Sequence, residues 1–339
     1  MTNPEASQDT FTPEFSIIVA VYNSERFLAE TLRSFQNQTL KHIEVVMVND
    51  GSTDGSASIA ERFCLEDARF RLINTPNQGI SATRNLAVQH TRAPWIAVCD
   101  GDDTWEPNKL QRQAEFIREW TDSQAEQIVA VGTAGDLINS VGAFIKAVKL
   151  HPRPWPELLD DEAKMLELNM INSSVVFRRD VFLSIGGYRA EYTPAEDTDL
   201  WVRLSEHGAV INLQEPLTHY RMHDTNLSGS GYVRMIVSAK RVRANAARRQ
   251  AGLPEWNEED YKAHEQVQDG YQDGELRLRH MVYYNRAKHN MYNRNYSQAA
   301  RALLSCILVS PRLSFNLLLR SRLLRSGRLF WRKKPDLPG

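Results

Sequence analysis

Three carboxylates fall within four residues in the run DGDD at residues 100–103. Asp100, Asp102 and Asp103 repel one another, and they directly follow a short apolar segment that predicts a buried strand. A cation would offset this repulsion, and a ligand set made only of oxygen atoms suits Mg²⁺ or Mn²⁺. The alternative is a solvated acidic turn, which the position at the end of a strand disfavours.

A second polar cluster, NDGSTD at residues 49–54, follows another apolar segment. Asp50 could accept a hydrogen bond from a base or a ribose beside the acidic run, and Tyr22, which ends the first apolar segment, could stack on a flat base. The simpler interpretations are helix capping by Ser52 or Asp54 and ordinary packing of Tyr22. The residues alone leave both interpretations open.

A third segment, NQGISATRN at residues 77–85, predicts a tight turn that leads into a helix. Gly79 permits the turn, and Arg84 follows one to two helical turns later. Helix N-termini and guanidinium groups both bind phosphate, so this segment suits a diphosphate. The alternative is an Arg84 side chain that pairs with a surface carboxylate.

Strands and helices alternate regularly in the first half of the chain and would position these segments. Apolar runs predict buried strands at residues 15–21, 43–48, 69–73 and 95–98. This alternation is typical of an α/β fold with a mostly parallel central sheet and helices on both faces. Because ligands bind beyond the carboxyl ends of parallel strands, the polar segments are expected to converge at one edge of the sheet.

The later part of the chain is less regular and ends in helices. Further strands are predicted at residues 127–132, 174–177, 209–213 and 217–221, and a short amphipathic helix at 197–207. From about Val233 the pattern is helical only. The expected organisation is a polar N-terminal tail, a sheet domain and an α-helical C-terminal extension, at residues 1–14, 15–231 and 232–339.

Composition excludes several classes of protein. Apolar residues make up 42% of the 339-residue chain, and 41 basic against 42 acidic residues leave no global field to attract nucleic acid. Three widely separated cysteines give neither zinc spacing nor a disulfide framework, which fits a reducing compartment. The sequence shows no secretory pattern and no membrane-spanning run. We therefore expect a cytoplasmic protein, soluble or peripheral at the inner face of the plasma membrane, without a nucleic acid partner.

In this order, the segments resemble family 2 glycosyltransferases of the GT-A fold. The matching segments cover about two thirds of the chain: FSIIVAVYNSERFLAETLRSFQNQT, IEVVMVNDGSTDGS, NQGISATRN, WIAVCDGDDTWEPNKL, NSSVVFRRDVFLSIGGYR, AEDTDLWVRL and YRMHDTNLS. Asn49 and Thr83 depart from the family pattern without removing a catalytic group. The chain has no Gln-x-x-Arg-Trp signature, so the resemblance favours a bacterial-type, non-processive enzyme.

The resemblance implies transfer of a sugar from a nucleoside diphosphate sugar, commonly a UDP-sugar, with inversion at the anomeric carbon. The acceptor would be a hydroxyl of a glycan or lipid-linked sugar, in cell-surface polysaccharide or glycolipid synthesis. Ala20 and Tyr22 match positions that hold the nucleotide base by backbone contact and stacking. Asp50 matches the residue that bonds the base.

The metal site and the base are implied in the same way. Asp100 and Asp102 match the DxD pair, in which the first carboxylate serves the ribose or the metal and the second serves the metal on the diphosphate. Asp103 extends the pair. Asp197 matches the catalytic base, and His223 matches a histidine that reaches the diphosphate or the metal in some members. The implied cofactor is Mn²⁺ or Mg²⁺.

Two neighbours compete with Asp197 for the role of base. Asp199 lies two residues further on, so it should face roughly the opposite way once the helix has started. Glu196 could instead orient the acceptor or an arginine. The alternative for all three is that their negative charge complements the dipole at the start of a helix.

Two histidines flank the segment YRM and share one side of a predicted strand. Ordinary packing is the simpler interpretation for His219. His223 is the better candidate for a functional residue, because it opens a Ser/Gly-containing loop at residues 224–231 that could close over the donor.

Two other classes of protein compete with a glycosyltransferase. A nucleotidyltransferase also uses an α/β sheet with acidic metal ligands, but it normally carries a Gly-rich, basic loop after the first strand, where this chain has YNSE at residues 22–25. A non-catalytic carbohydrate-binding scaffold would have a broken metal cluster or no base, and the sequence retains candidates for both.

The C-terminal tail is basic and amphipathic. Between Ser310 and Lys334 there are eight basic residues and no acidic one, interleaved with Leu, Phe and Trp. Such a segment suits an anionic membrane surface, where a lipid-linked acceptor would be found. The alternative is a terminal helix that packs its leucines on residues 283–309.

Overall fold

The computed structural model describes residues 12–152, 170–223, 232–268, 283–284, 287, 290–292 and 295–310. The predicted donor loop at residues 224–231 and the basic tail beyond Ser310 lie outside this part of the chain.

The first half of the chain forms the predicted βαβ units. Its elements are β1 (Phe15–Val21), α1 (Leu28–Gln36), β2 (Ile43–Asp50), α2 (Ser56–Glu66), β3 (Phe70–Thr75), α3 (Ile80–Gln89) and β4 (Trp95–Asp100). The strands lie in the order β3-β2-β1-β4 and all three neighbouring pairs are parallel. β2 is buried along its whole length, as expected for a strand covered on both faces.

The second half extends the same sheet. Its elements are β5 (Thr104–Trp105), α4 (Lys109–Ser123), β6 (Ile128–Asn139), β7 (Phe144–Val148), β8 (Val176–Arg178), α5 (Arg179–Ser184), α6 (Glu196–Ser205) and β9 (Ala209–Met222). From β4 the strands continue in the order β8-β6-β9-β5, with β7 paired to β6. β8 is antiparallel to both neighbours, whereas β9 runs parallel to β6. The α/β fold class is thus confirmed, and the sheet is mixed beyond β4.

Hydrophobic residues on the two faces of the sheet form two cores. Ile17 and Ile18 are successive residues of β1 and face opposite sides, as the period of a strand requires. Ile17 packs in the core that contains Leu32 of α1, whereas Ile18 packs in the core that contains Val88 of α3 and Trp201 of α6. Full burial of each such side chain contributes about 1.5–3 kcal/mol, so the strands are held rigidly where their carboxyl ends meet.

The segment between β1 and α1 is not the direct start of the helix. Although Asn23 and Ser24 are residue types that favour an N-cap, α1 begins at Leu28, four residues after Ser24. Asn23 adopts a positive φ of 47°, and its side-chain oxygen accepts a hydrogen bond from the Thr53 amide at 2.8 Å. The segment after β1 therefore binds the segment after β2 instead of starting the helix.

The C-terminal part is helical, as predicted. Its described helices are α7 (Tyr232–Gln250), α8 (Glu258–Gln268) and α9 (Tyr296–Val309). The chain forms two compact units, within each of which the residues contact one another densely. One unit consists of Met1–Met222 with Arg234–Glu258, and the other of His223–Val233 with Glu259–Gly339. The first unit thus includes most of α7, and the boundary at residue 231 stays a prediction. Within the described ranges, every helix is too short or too polar to cross a bilayer.

Candidate active site

The acidic run forms a loop between β4 and β5, at the carboxyl edge of the sheet. Asp100 is the last residue of β4 and lies in register with Ala20 of β1. Its Oδ1 accepts a hydrogen bond from Arg84 Nη2 at 2.5 Å, and both of its oxygens lie within 3.2 Å of Asn172 Nδ2. The Asp100 carboxylate is therefore oriented by two other segments of the chain.

Asp103 differs from the other two carboxylates because it is completely buried. Its Oδ1 accepts the backbone N–H of Arg221 at 2.7 Å. Burial, together with the charges of Asp102 and Asp100, raises the pKa of Asp103 well above its usual range. Asp103 thus anchors the acidic loop to β9 through its hydrogen bond with Arg221. Asp102 is partly exposed, so a role as metal ligand fits Asp102 better than Asp103.

Arg84 joins the acidic loop to α6. Its guanidinium is buried and donates to Asp100 and, through Nη1, to Glu196 Oε1 at 2.9 Å. Burial opposes the charge of Arg84, but the carboxylates of Asp100 and Glu196 outweigh it and raise its pKa above the usual range. The sequence suggested a diphosphate or a surface carboxylate as its partner, and here the partners are two carboxylates of the site itself. Its contact with a diphosphate stays a prediction.

Asp197 lies at the second position of α6 and is half-buried. Burial and the charge of Glu196 raise the pKa of Asp197 to about 6, although Arg84 acts in the opposite direction. A carboxylate with this pKa is ionised at neutral pH and basic enough to accept a proton. The catalytic role of Asp197 stays a prediction.

Asp199, the competing candidate, is already occupied. It is fully buried and pairs with two arginines, Arg189 and Arg203, the latter at 2.7 Å from Nη2 to Oδ2. A carboxylate held in this way has no access to an incoming hydroxyl. The structure therefore gives Asp199 a role in holding α6 in place.

Asp50 lies under the turn that leads into α3. Its two carboxylate oxygens accept the backbone N–H groups of Gln78 at 2.7 Å and Gly79 at 3.0 Å. Gly79 has a φ of 87°, a conformation that favours glycine. Asp50 thus shapes this turn, and its contact with a base stays a prediction, as do those of Ala20 and of Tyr22, which is half exposed at the end of β1.

The two histidines have different environments. His219 lies on β9 opposite Thr104, and its Nε2 is 3.0 Å from Glu106 Oε1, which agrees with an ordinary structural role. His223 is buried directly after the end of β9 at Met222. It belongs to the second of the two units, and its role at a diphosphate or metal stays a prediction.

Sequence reasoning missed two residues of this site, Asn172 and Arg221. Asn172 orients Asp100, and Arg221 contacts the backbone of the acidic loop, since its Nε donates to Asp102 O at 2.8 Å. Both lie in segments that the sequence marked as significant, NSSVVFRR and YRMH. A signal existed for Arg221, because it lies midway between the two histidines and therefore shares one side of the predicted strand with them.

Comparisons with known proteins agree with this architecture. The sequence model described as Glycosyl transferase family 2 matches residues 16–186. The putative glycosyltransferase EpsE of Bacillus subtilis (strain 168) is 30% identical over 215 residues, which are 62% of this chain and 73% of EpsE. The putative glycosyltransferase EpsH of the same strain is 41% identical over 111 residues, which are 33% of this chain and 32% of EpsH.

A solved structure shows the same GT-A fold. S. aureus TarS 1-349, in complex with UDP-GlcNAc, matches with a TM-score of 0.55 and 19% sequence identity, and the match covers 90% of this chain and 83% of TarS 1-349. The family match spans half of the chain, and the curated relatives are named glycosyltransferases. The chain is therefore an enzyme of this class and belongs to glycosyltransferase family 2.

Proposed function

We propose that this enzyme transfers a sugar from a UDP-sugar to a hydroxyl of a glycan or lipid-linked acceptor, with inversion at the anomeric carbon. The observation that carries the proposal is the Arg84 bridge. It ties the acidic loop, where the donor diphosphate is expected, to the start of α6, where Asp197 lies. The likeness to TarS, whose structure contains UDP-GlcNAc, supports UDP as the nucleotide.

The residues at the acidic loop fit a divalent cation, Mn²⁺ or Mg²⁺. In the described part of the chain, no three His, Cys, Asp or Glu side chains could ligate a metal by themselves. Asp102, with Asp100 beside it, would supply protein oxygens, and phosphate oxygens with water would complete the set, as is usual for Mg²⁺. Among the described residues, no group donates a hydrogen bond to the buried Oε2 of Glu196, so this part of the site retains uncompensated negative character. When bound, the ion would offset the charge that develops on the leaving diphosphate.

The chain's own residues would supply orientation and proton transfer. Asp197 would accept the proton of the acceptor hydroxyl as that oxygen attacks the anomeric carbon, a contribution of about 10²- to 10⁴-fold. Glu196 would act indirectly, because it holds Arg84. One displacement assisted by one base inverts the configuration, and no covalent enzyme intermediate is needed.

The biological setting is also a proposal. An acceptor used in cell-surface polysaccharide or glycolipid synthesis would be presented at the inner face of the plasma membrane, and the basic segment at residues 310–334 would hold the enzyme there. The support is the excess of eight basic residues in that segment, interleaved with apolar ones.

Nucleotide binding tests the proposal. We expect UDP to bind the full chain in calorimetric titrations with Mn²⁺ and at least about tenfold more weakly without it, whereas GDP should bind less well. Asp102→Asn should remove the metal dependence, and Asp122→Asn, at an exposed residue of α4, should retain it. UDP binding that is absent, or that is the same with and without Mn²⁺, would contradict the proposal.

A further inference from the structure

Arg221 is a buried cation directly beneath the acidic loop. It is only 1% exposed, although it is the second-last residue of β9 and strand ends are commonly exposed to solvent. Burial of a guanidinium is costly unless charged or polar partners surround it. Its partners therefore indicate what the structure gains from placing it there.

The partners that bear on the acidic loop lie in that loop itself and at the start of α1. Its Nε donates to the carbonyl oxygen of Asp102 at 2.8 Å, and its backbone N–H donates to Asp103 Oδ1 at 2.7 Å. Its Nη2 forms an ion pair with Glu30 Oε2 of α1 at 2.8 Å, and the guanidinium lies 5.0 Å from the centre of the Phe27 ring. A single residue thus fixes two successive residues of the acidic loop and braces them against α1.

We propose that Arg221 is a positioning residue for metal and diphosphate binding: it fixes the Asp102 peptide, and thereby the residue whose carboxylate would hold the ion. This inference rests on the proposed function, because Asp102 matters in this way only if an ion binds there. Arg221 complements Arg84, which donates a hydrogen bond to Asp100 at the other end of the loop. The two arginines together hold the two ends of the loop.

The geometry makes a specific demand on the side chain. Only a planar guanidinium can donate to the Asp102 carbonyl through Nε and reach Glu30 through Nη2 at the same time. Lysine would retain the positive charge but would offer a single point of contact. Arg221→Lys therefore separates the positioning role from the charge.

The experiment measures the Mn²⁺ concentration that gives half-maximal UDP binding. We expect Arg221→Lys to raise this concentration about 10- to 100-fold, the usual effect of losing a residue that orients a metal ligand. UDP binding without metal should change less than about twofold. Arg203→Lys is the matched control, because Arg203 is also a buried arginine that donates to a carboxylate and to carbonyl oxygens, at Asp199, Ile185 and Gly187. It should lower the melting temperature and leave the Mn²⁺ dependence unchanged.

The outcomes separate the two proposals. Wild-type protein that needs no Mn²⁺ for UDP binding would overturn the proposed function and this inference with it. Wild-type protein that needs Mn²⁺, together with an unchanged half-saturation for Arg221→Lys, would overturn the inference alone, as would an equal shift for Arg203→Lys. If Arg221→Lys does not fold, Glu30→Gln decides, because Glu30 is exposed and its loss should still raise the half-saturating Mn²⁺ concentration severalfold.

Discussion

Asp197 is half-buried at the start of α6, and burial together with the charge of Glu196 raises its pKa to about 6. A general base acts only when it is deprotonated, so lowering the pH through 6 should protonate Asp197 and abolish its action as a base. We expect kcat/KM to fall about tenfold per pH unit below this value. Asp197→Asn should lower kcat by about 10²- to 10⁴-fold and leave UDP binding unchanged. Steady-state rates from about pH 5 to pH 8, with titrations of UDP, measure both effects.

The acidic limb of the profile should be absent from the residual activity of Asp197→Asn, because that variant has no carboxylate left to titrate. Asp199→Asn serves as the comparison. Since Asp199 pairs with Arg189 and Arg203, its loss should lower stability and retain the limb. A kcat/KM that stays flat below pH 6 in the wild type would contradict the assignment of the base.

Lys109 is a buried group that the proposed mechanism does not use. It is completely buried, its Nζ donates to Gln113 Oε1 at 2.9 Å, and it lies 3.9 Å from the centre of the Trp105 ring. Burial lowers the pKa of Lys109 to about 7. Between pH 7 and the usual lysine pKa, the unfolded chain therefore binds more protons than the folded one, and this residue makes the free energy of unfolding rise with pH.

Lys109→Met should remove that dependence. We expect the free energy of unfolding of the wild type, relative to the variant, to rise by about 2 kcal/mol between pH 7 and pH 9. Urea unfolding at several pH values measures this difference. Lys41→Met is the control, because Lys41 is exposed and its removal should leave the pH dependence unchanged. A constant difference between wild type and Lys109→Met would show that Lys109 stays protonated in the fold.

At the scale of elements, the strands and their polar ends could be predicted because local periodicity determines them. The convergence of Ala20 with Asp100 follows from parallel pairing alone. Contacts between distant segments could not be predicted. The residues of β9 suggested two strands, 209–213 and 217–221, yet they form one strand, because β6 pairs with both parts of it through shifts in register near Ala134.

The same limit applies to the site. The acidic loop and the acidic residues of α6 could be recognised as local motifs. The hydrogen bond from Arg84 to Glu196, in contrast, joins residues that are 112 positions apart in the sequence. Long-range hydrogen bonds leave no periodic trace in a single sequence. Motif reasoning therefore found the groups that the chemistry needs and missed the contacts that hold them.

The turn before α3 offers a test of how an element positions the site. Asp50 accepts two backbone N–H groups there, so Asp50→Ala should lower the free energy of unfolding by about 1–2 kcal/mol. It should also weaken UDP binding, because the turn places α3 and Arg84. Asp54→Ala is the matched variant, since Asp54 accepts the backbone N–H of Ser56 at 3.0 Å at the start of α2. Urea unfolding and UDP titration compare the two.

The two aspartates should resemble each other in stability and differ in binding. Asp54→Ala should lose a similar free energy of unfolding and retain UDP affinity. Equal losses of UDP affinity in both variants would indicate general destabilisation at this edge of the sheet, not a special role for the turn at Gly79.

At the scale of the whole molecule, α7 is part of the packing of the sheet unit. Val242 and Ala246 are completely buried in the core beside α3 and α6. A chain truncated after Gly231 would leave that core surface exposed, whereas one that ends at Glu258 would retain it. We expect the shorter chain to have a free energy of unfolding at least about 3 kcal/mol lower. Urea unfolding of the two truncated chains measures the difference, and equal stabilities would support a boundary at Gly231.

Membrane attachment, which is proposed above from the basic segment, also belongs to the scale of the whole molecule. On α9, Leu304, Ile307 and Leu308 share one face and are 59%, 42% and 75% exposed. The chain continues beyond Ser310 into the basic segment, whose attraction to an anionic surface is about 1 kcal/mol for each Lys or Arg near it. We expect the full chain to co-sediment with vesicles that contain phosphatidylglycerol and to remain in the supernatant with phosphatidylcholine alone. Deletion of the residues after Ser310 should abolish co-sedimentation and retain UDP binding, because the proposed nucleotide site lies elsewhere in the chain. Unchanged co-sedimentation would instead assign the leucines and arginines of the tail to packing within the protein.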